Sequence, residues 1–279
     1  MITLTPRYRF KVPVDGVVIS PDEFAGKRLE EIESLNLWEG NRRKRLGELF
    51  NIKFNEADEL KEASPNDVKI RLIGDLRRVR RIGSGMTGGE LIIEGDVGMR
   101  LGEGMKGGTI RVRGNSDSWT GCMMEGGTII IEGSTGDYTG SSYRGSPEGM
   151  RGGRIIIHGD AGSEVGCHMS DGLIRIYGNV GPFAGIHMKG GIILIHGNSD
   201  GRAGAEMVNG RIIIRGYVPS VLPTFTIEDV KPRVRVGEER IPGPFYLFIG
   251  DIADEGKGRL YISKERNPHL SFYEEYLRG

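Results

Sequence analysis

The sequence predicts a mainly β protein: a right-handed parallel β-helix of about seven 19-residue rungs, with a small N-terminal α/β cap and a C-terminal tail. Three observations carry that expectation. A motif of the form G-x-x-M-x-G-G-x-I-x-I-x-G recurs through residues 74–216. Its glycines fall at Gly89, Gly108, Gly127, Gly153, Gly172, Gly191 and Gly210, a step of 19 interrupted once by a step of 26. Each repeat holds one short run rich in Ile and Val that ends on glycine. A fixed period of this size marks a solenoid and outranks local preferences. β-branched residues in so short a run favour strand, and 19 residues are too few for two helices and their turns. The right hand follows the rule for crossovers between parallel strands.

Taken in order, residues 1–66 do not repeat and form the expected cap. Residues 2–4 and 10–14 read as short strands, Ser20 as a helix N-cap before Pro21, and residues 27–35 and 42–50 as helices. The basic run from Glu39 to Arg45 reads either as a solvated helix end or as a docking patch. Residues 62–67 read as a linker broken by Pro65, and 67–74 as a worn first rung. The repeat domain spans 67–217, and 218–279 is a C-terminal extension expected to pack on it. That extension should hold strands at 233–236, 245–249 and 259–263 and a short helix at 271–277.

Within the array, residues one period apart lie above one another, and side chains alternate in and out along a strand. The inward ladders run from Leu91 through Ile110, Ile129, Ile155, Ile174 and Ile193 to Ile212, and from Ile93 through Val112 to Ile214, without a polar residue. The methionines three places before each glycine should fill an interior corner, where an unbranched chain suits an irregular gap. Glu94, Arg113 and Glu132 alternate in sign on the outside as a solvated ladder.

Two outward strips are less ordinary. One contains Ile130, Ile156 and Leu194 beside Arg111 and Arg175; the other contains Trp119, Tyr138 and Phe183 beside Arg100 and Arg202. Apolar strips on a surface imply a cover, and aromatic residues with Arg fit a protein interface. The chain's own ends could cover one strip. The 26-residue step inserts residues 141–147, which leave the array as a loop with Tyr143 and Arg144 at its tip.

No enzymatic constellation emerges. The 38 basic residues balance 38 acidic ones, so no net charge draws nucleic acid or an anionic membrane. No apolar run is long enough to span a bilayer, and no signal peptide opens the chain; the expected location is cytoplasmic. Cys122 and Cys167 are too few for a disulfide framework or an iron–sulfur cluster. His158, His168, His187 and His196 cluster late, with His168 and His187 one rung apart and Cys167 adjacent. A zinc site would need three or four convergent ligands; turn or surface histidines are the other reading. The G-x-G pieces precede no helix and so are not a dinucleotide fingerprint. Glu94 and Glu132 are separated by Arg113, which argues against a polysaccharide-cleaving acid pair. No catalytic, cofactor-binding or metal-ligating residue is assigned.

The glycine–methionine array, the segment EGNRRKRLGELF and the tail RLYISKERNPHL together resemble the C subunit of formylmethanofuran dehydrogenase along essentially the whole chain. The repeat alone is also similar to the C-terminal β-helix of the glutamate synthase large subunit, and to a subunit of the formyltransferase/hydrolase complex of methylotrophs. The resemblance implies a complex that reduces carbon dioxide at a tungsten or molybdenum pterin and condenses formate with methanofuran at a binuclear metal site. It implies that those centres and the iron–sulfur clusters sit in other subunits, a molybdopterin-type oxidoreductase subunit and an amidohydrolase-like subunit among them. This chain would be a non-catalytic scaffold that binds no cofactor. The Ile-, Lys-, Arg- and Glu-rich composition leans archaeal. The alternative is a self-sufficient β-helix protein, carbohydrate-active or metal-binding.

Overall fold

The computed structural model describes residues 1–54 and 62–277. The cap expected over 1–66 includes 55–61, which lie outside the described residues. In chain order the strands are β1 (Ile2–Pro6), β2 (Val14–Asp15), β3 (Asn36–Glu39), β4 (Arg42–Arg45), β5 (Phe50–Phe54), β6 (Lys69–Ile73) and β7 (Val79–Arg80). The repeat supplies β8 (Glu90–Glu94), β9 (Thr109–Val112), β10 (Thr128–Ile131), β11 (Arg151–Ile157), β12 (Asp171–Ile176), β13 (Ile192–Ile195) and β14 (Arg211–Ile214). Three longer or later strands follow: β15 (Thr226–Val236), β16 (Glu239–Gly250) and β17 (Gly258–Ser263). The protein is mainly β. A mixed sheet of 13 strands has the order β15-β16-β17-β14-β13-β12-β11-β10-β9-β8-β6-β1-β5, and a second sheet has the order β4-β3-β2-β7.

From β6 to β14 every pairing in the large sheet is parallel, and its register follows the repeat. Leu91 lies opposite Ile110, Ile110 opposite Ile129, Ile129 opposite Ile155, and so on to Ile193 opposite Ile212. These side chains and the second ladder, Ile93 to Ile214, are buried as the alternation requires. A one-residue slip would move the whole set to the other face, so burial pins the register. The first rung aligns as well, with Ile70 opposite Leu91 and Leu72 opposite Ile93. A separate line of single parallel bridges joins Leu76, Val97, Ser116, Thr135, Ala161, Val180 and Ser199, one residue per repeat.

Two side-chain devices repeat with the strands. The polar residue after each strand-ending glycine accepts the backbone N–H of its counterpart in the next repeat. Asp96 Oδ1 accepts from Asn115 at 2.8 Å, Asn115 Oδ1 from Ser134 at 2.8 Å, and Asn179 Oδ1 from Asn198 at 2.9 Å. The ladder ends with Asn198 Oδ1 accepting from Tyr217. The methionines of the repeat column, Met86, Met105, Met124, Met150, Met169, Met188 and Met207, are fully buried, each reaching toward a glycine of the following turn of chain. At Gly127, φ is +81° and a Cβ would lie 2.7 Å from Met105 Cε.

Both ends are closed by the chain itself. At the N-terminus, helices α1 (Pro21–Phe24), α2 (Leu29–Glu33) and α3 (Leu46–Leu49) bury Phe24, Ile32, Leu46 and Leu49. The Ser20 hydroxyl accepts from the Glu23 N–H at 3.2 Å, as its N-cap role predicts. At the C-terminus, β17 lies parallel to β14 with Leu260 opposite Ile212 and Ile262 opposite Ile214, extending both inward ladders by one step. The β15–β16 hairpin folds back over the outer face of the repeat sheet. Its Val234, Val236, Ile241 and Leu247 pack with Leu194 and Ile213 in a second core.

Several expected elements differ. Residues 42–50 are not one helix: β4 pairs with β3, Glu39 opposite Arg42, and α3 follows. The loop Gly40-Asn41, with Gly40 at φ +59°, is a two-residue hairpin connection. The strand expected at 10–14 reduces to Val14–Asp15, while Phe10 is buried and packs against the Phe50 ring at 5.6 Å. The helix at 27–35 shortens to α2, and the terminal one is a 3-10 helix over Pro268–Leu277. The expected strands at 233–236 and 245–249 belong to longer ones, in which Pro232 falls at a break in register. Among the described residues no helix is long and apolar enough to cross a membrane.

Candidate subunit interface

The repeats turn one corner in a conformation that L-residues seldom adopt. Arg100, Trp119, Tyr138, Glu164, Phe183 and Arg202 hold one position in successive repeats, and all have φ between 54° and 65°. The first five use their N–H to reach the next repeat: Trp119 donates to the Asp137 carbonyl at 2.8 Å and Tyr138 to the Ser163 carbonyl at 2.9 Å. Those bonds fix the backbone, so the side chains project outward in a column. A bulky residue held at positive φ costs about 1–3 kcal/mol, a strain that persists where the surroundings or a function over-determine it.

The column does not point into open solvent everywhere. Trp119 and Tyr138 stack with ring centroids 4.6 Å apart and planes 14° from parallel. The inserted loop at 141–147 turns back along them, and the Arg100 guanidinium sits 4.4 Å from the Tyr143 ring centroid. Arg100 is held in turn by Glu103 at 3.0 Å. Stack, loop and the next two repeats enclose a cleft of about 580 Å³ whose lining includes Trp119, Tyr138, Tyr143, Arg144, His168 and His187. Among the described residues neither Trp119 Nε1 nor His168 Nδ1, both buried there, has a hydrogen-bond partner. A buried donor left unpaired costs about 1–3 kcal/mol, so this corner carries unmet bonding capacity on top of its strain.

The candidates therefore divide. Trp119, Tyr138, Tyr143 and Arg144 meet at one cleft. Phe183 belongs to the same column further along, with Arg202 5.2 Å over its ring, outside the cleft lining. Ile130 and Ile156 are half-buried on the outer face of β10 and β11 and lie opposite one another. Leu194 is corrected: it is fully buried under the chain's own hairpin and offers no outer surface. The covering of one strip by the chain's own end accounts for that half, with Arg175 on the same strip paired to Glu239. Sequence reasoning missed the part played by Arg100. Its one visible signal was membership of the column.

The polar groups near the cleft include two stacked histidines and a thiol. His168 and His187 stack at 4.6 Å with planes 7° apart, and His187 Nδ1 lies 3.2 Å from Glu206. Burial, then the neighbouring His187, holds His168 below its ordinary value of 6.5 and so neutral at pH 7. Burial pushes the Cys167 thiol up to about 11 and that of Cys122 up to about 12, which keeps both protonated at pH 7, whereas nucleophilic attack needs the thiolate. Among the described residues no three His, Cys, Asp or Glu side chains converge as a metal site requires. The donors present among the described residues thus do not fit an iron–sulfur cluster or a binuclear metal centre.

Fold and corner together define a class: a mainly β repeat protein built on one large mixed sheet, with a strained aromatic column on its surface. Comparison with known proteins narrows it. No protein-family model matches the chain. A stretch of 97 residues is 45% identical to the C subunit of the molybdenum-containing formylmethanofuran dehydrogenase 1 of Methanothermobacter marburgensis, covering 35% of this chain and 22% of that relative. A stretch of 98 residues is 43% identical to the C subunit of the tungsten-containing formylmethanofuran dehydrogenase 2 of Methanothermobacter wolfeii, covering 35% of this chain and 34% of that one. The match thus spans between 22% and 34% of those relatives' own length, and about a third of this chain, shorter than the likeness expected from the motifs. A chain in the crystal structure of the formyltransferase/hydrolase complex (FhcABCD) from Methylorubrum extorquens, solved with methylofuran, superposes with a TM-score of 0.81. Sequence identity there is 29%, and coverage is 94% of this chain and 99% of that one. In sequence the chain resembles the C subunit of formylmethanofuran dehydrogenase; in structure it resembles a chain of the FhcABCD complex.

Proposed function

We propose that this chain is the non-catalytic scaffold subunit of a complex that carries out one-carbon chemistry on a furan-type coenzyme, holding catalytic subunits together. The observation that carries the reading is the end-to-end likeness, over 94% of this chain and 99% of the other, to a chain of the FhcABCD complex. In this reading the repeat is a right-handed parallel β-helix over 67–217, capped by 1–66 and closed by 218–279. Two separate lines of parallel contact, the strands β8 to β14 and the single bridges from Leu76 to Ser199, support a coil that returns to the same face once per repeat. The docking surfaces are the corner with Trp119, Tyr138, Tyr143, Arg144 and Phe183 and the uncovered part of the sheet face with Ile130 and Ile156. The protein works in the cytoplasm, and its cofactors reside in its partners.

Two complexes compete. The 43–45% identity to the C subunit of the molybdenum and tungsten enzymes favours formylmethanofuran dehydrogenase, and so the formylation of methanofuran with which methanogenesis begins. The structural likeness equally favours a formyltransferase/hydrolase complex. Purification through a tag on this chain from its source cells, with mass spectrometry and metal analysis, separates them. An amidohydrolase-like subunit together with a molybdopterin-type subunit and its bound tungsten or molybdenum is expected for the dehydrogenase. An amidohydrolase-like subunit with a formyltransferase and neither metal points to the hydrolase complex. A chain that arrives alone and monodisperse overturns the scaffold reading.

A further inference from the structure

A second surface, apart from the corner, carries a different signature. In the sheet β4-β3-β2-β7, residues directly opposite one another share a face. Arg43 lies opposite Trp38, Trp38 opposite Asp15, and Asp15 opposite Arg80, a row across all four strands. Arg45, opposite Asn36, shares that face. The other side of the sheet is core: Val14, Leu37 and Val79 are buried. On the outer side Trp38 is 51% exposed, and Arg43, Arg45 and Arg80 are all exposed around it.

The charges on this face do not cancel. Its one acid, Asp15, is engaged by Arg81 at 3.0 Å. Among the described residues Arg43, Arg45 and Arg80 have no carboxylate within ion-pair distance, although Glu48, paired with Lys44 at 3.1 Å and accepting from the Arg45 N–H at 2.7 Å, feels the charge of Arg45. Three exposed guanidiniums, none in an ion pair among the described residues, thus frame one exposed indole, in a chain whose formal net charge is zero. β4 is also an edge strand, and its basic residues keep it from pairing with stray strands. That explains Arg42 and Lys44 as well as Arg43 and Arg45, and it extends to Arg80 on β7, the sheet's other edge, but it does not explain Trp38.

We propose that this face is a docking site for an acidic surface of another protein subunit, with Trp38 as the buried anchor and the arginines as its charged rim. The proposal rests on the scaffold reading above and adds where, and with what chemistry, one partner sits. Trp and Arg dominate the residues that anchor protein interfaces, and complementary charge fixes which partner docks. A nucleic acid would call for a basic stripe following a backbone, and an anionic membrane for a cluster of cations without a central indole. The row is four strands wide, with a single aromatic between guanidiniums.

The test uses the purified native complex. A photo-crosslinking residue introduced in place of Trp38 should attach to an acidic segment of an identified co-purifying subunit. With the isolated partner at about 0.1 M salt, the variant R43E/R80E should bind at least tenfold more weakly, and this deficit should shrink at about 1 M salt as screening takes over. Trp38→Ser should lose about thirtyfold, the scale of an interface hot spot. R43Q/R80Q serves if the reversed charges disturb the fold, with the unfolding midpoint as the check. If the wild-type complex forms and the variants bind within twofold of it, this face is not the dock, and the scaffold reading stands. If the face binds anionic vesicles or duplex DNA and no subunit, the proposal is overturned in favour of those ligands. A wild-type chain recovered with no partner overturns the scaffold reading itself.

Discussion

At the scale of the residue, the array is held by a contact between a flexible side chain and a missing one. Met105 Cε occupies the space where Gly127 would carry its Cβ, and the backbone of Gly107 and Gly108 lies 2.9 Å from that same point. Gly127→Ala therefore meets a positive φ and atoms that cannot yield, and should cost about 3 kcal/mol. Gly145 supplies the control. Its φ is +84°, yet nothing lies within 4 Å of an added Cβ, so Gly145→Ala should cost only the conformational part, about 1 kcal/mol. Urea denaturation of the two variants measures the difference directly, and equal losses would refute the interlock. The methionine and glycine columns were legible because both follow the period. The strain at Trp119 and Tyr138 was not, since a non-glycine residue at positive φ leaves no mark in sequence.

At the scale of the element, what the sequence made legible and what it hid have separate physical causes. The strands β8 to β14 were readable because burial selects Ile or Val at the same two positions in every repeat, and nothing local competes. The hairpin of β3 and β4 was misread because four consecutive basic residues resemble the polar face of a helix. The decisive signal was Gly40-Asn41, whose turn geometry overrode helix preference. β17 was recognised as a strand but not as an eighth partner in the array, because the β15–β16 hairpin separates it from β14 and breaks the period. The polar ladder beside the strands is the element's own cohesion. Asn179 Oδ1 holds the Asn198 N–H at 2.9 Å, so Asn179→Ala should cost about 1 kcal/mol, the net worth of one such bond. Asn179→Asp should retain most of it, as Asp160 does one repeat earlier at the Asn179 N–H. Thermal unfolding of both variants distinguishes this from generic loss of a surface side chain, which would make them equal.

At the scale of the whole molecule, the two ends and one strip are covered by the chain, and what stays uncovered includes an aromatic column and a cationic face besides the aliphatic face of Ile130 and Ile156. The hairpin β15–β16 buries Leu194 and Ile213, yet it leaves the corner column untouched. That column is the costlier surface to maintain, because it combines left-handed backbone at Trp119, Tyr138 and Phe183 with an indole N–H that finds no partner among the described residues. An evolved surface loses such features unless they are used, since glycine at each position would relax the backbone. Replacing Trp119, Tyr138 and Phe183 with Ser together removes the stacked pair and the ring beneath Arg202 while leaving the inward ladders intact. The three side chains are only partly buried, so the unfolding midpoint should change little. Partner affinity should fall at least a hundredfold, in keeping with three aromatic anchors each worth about 1–2 kcal/mol or more at an interface. Size-exclusion chromatography of the reconstituted complex at micromolar concentration reads the outcome. Assembly of the triple variant at wild-type strength would mean that the corner is maintained for the turn alone and that partners dock elsewhere, on the sheet face of Ile130 and Ile156 or on the arginine-framed face of Trp38.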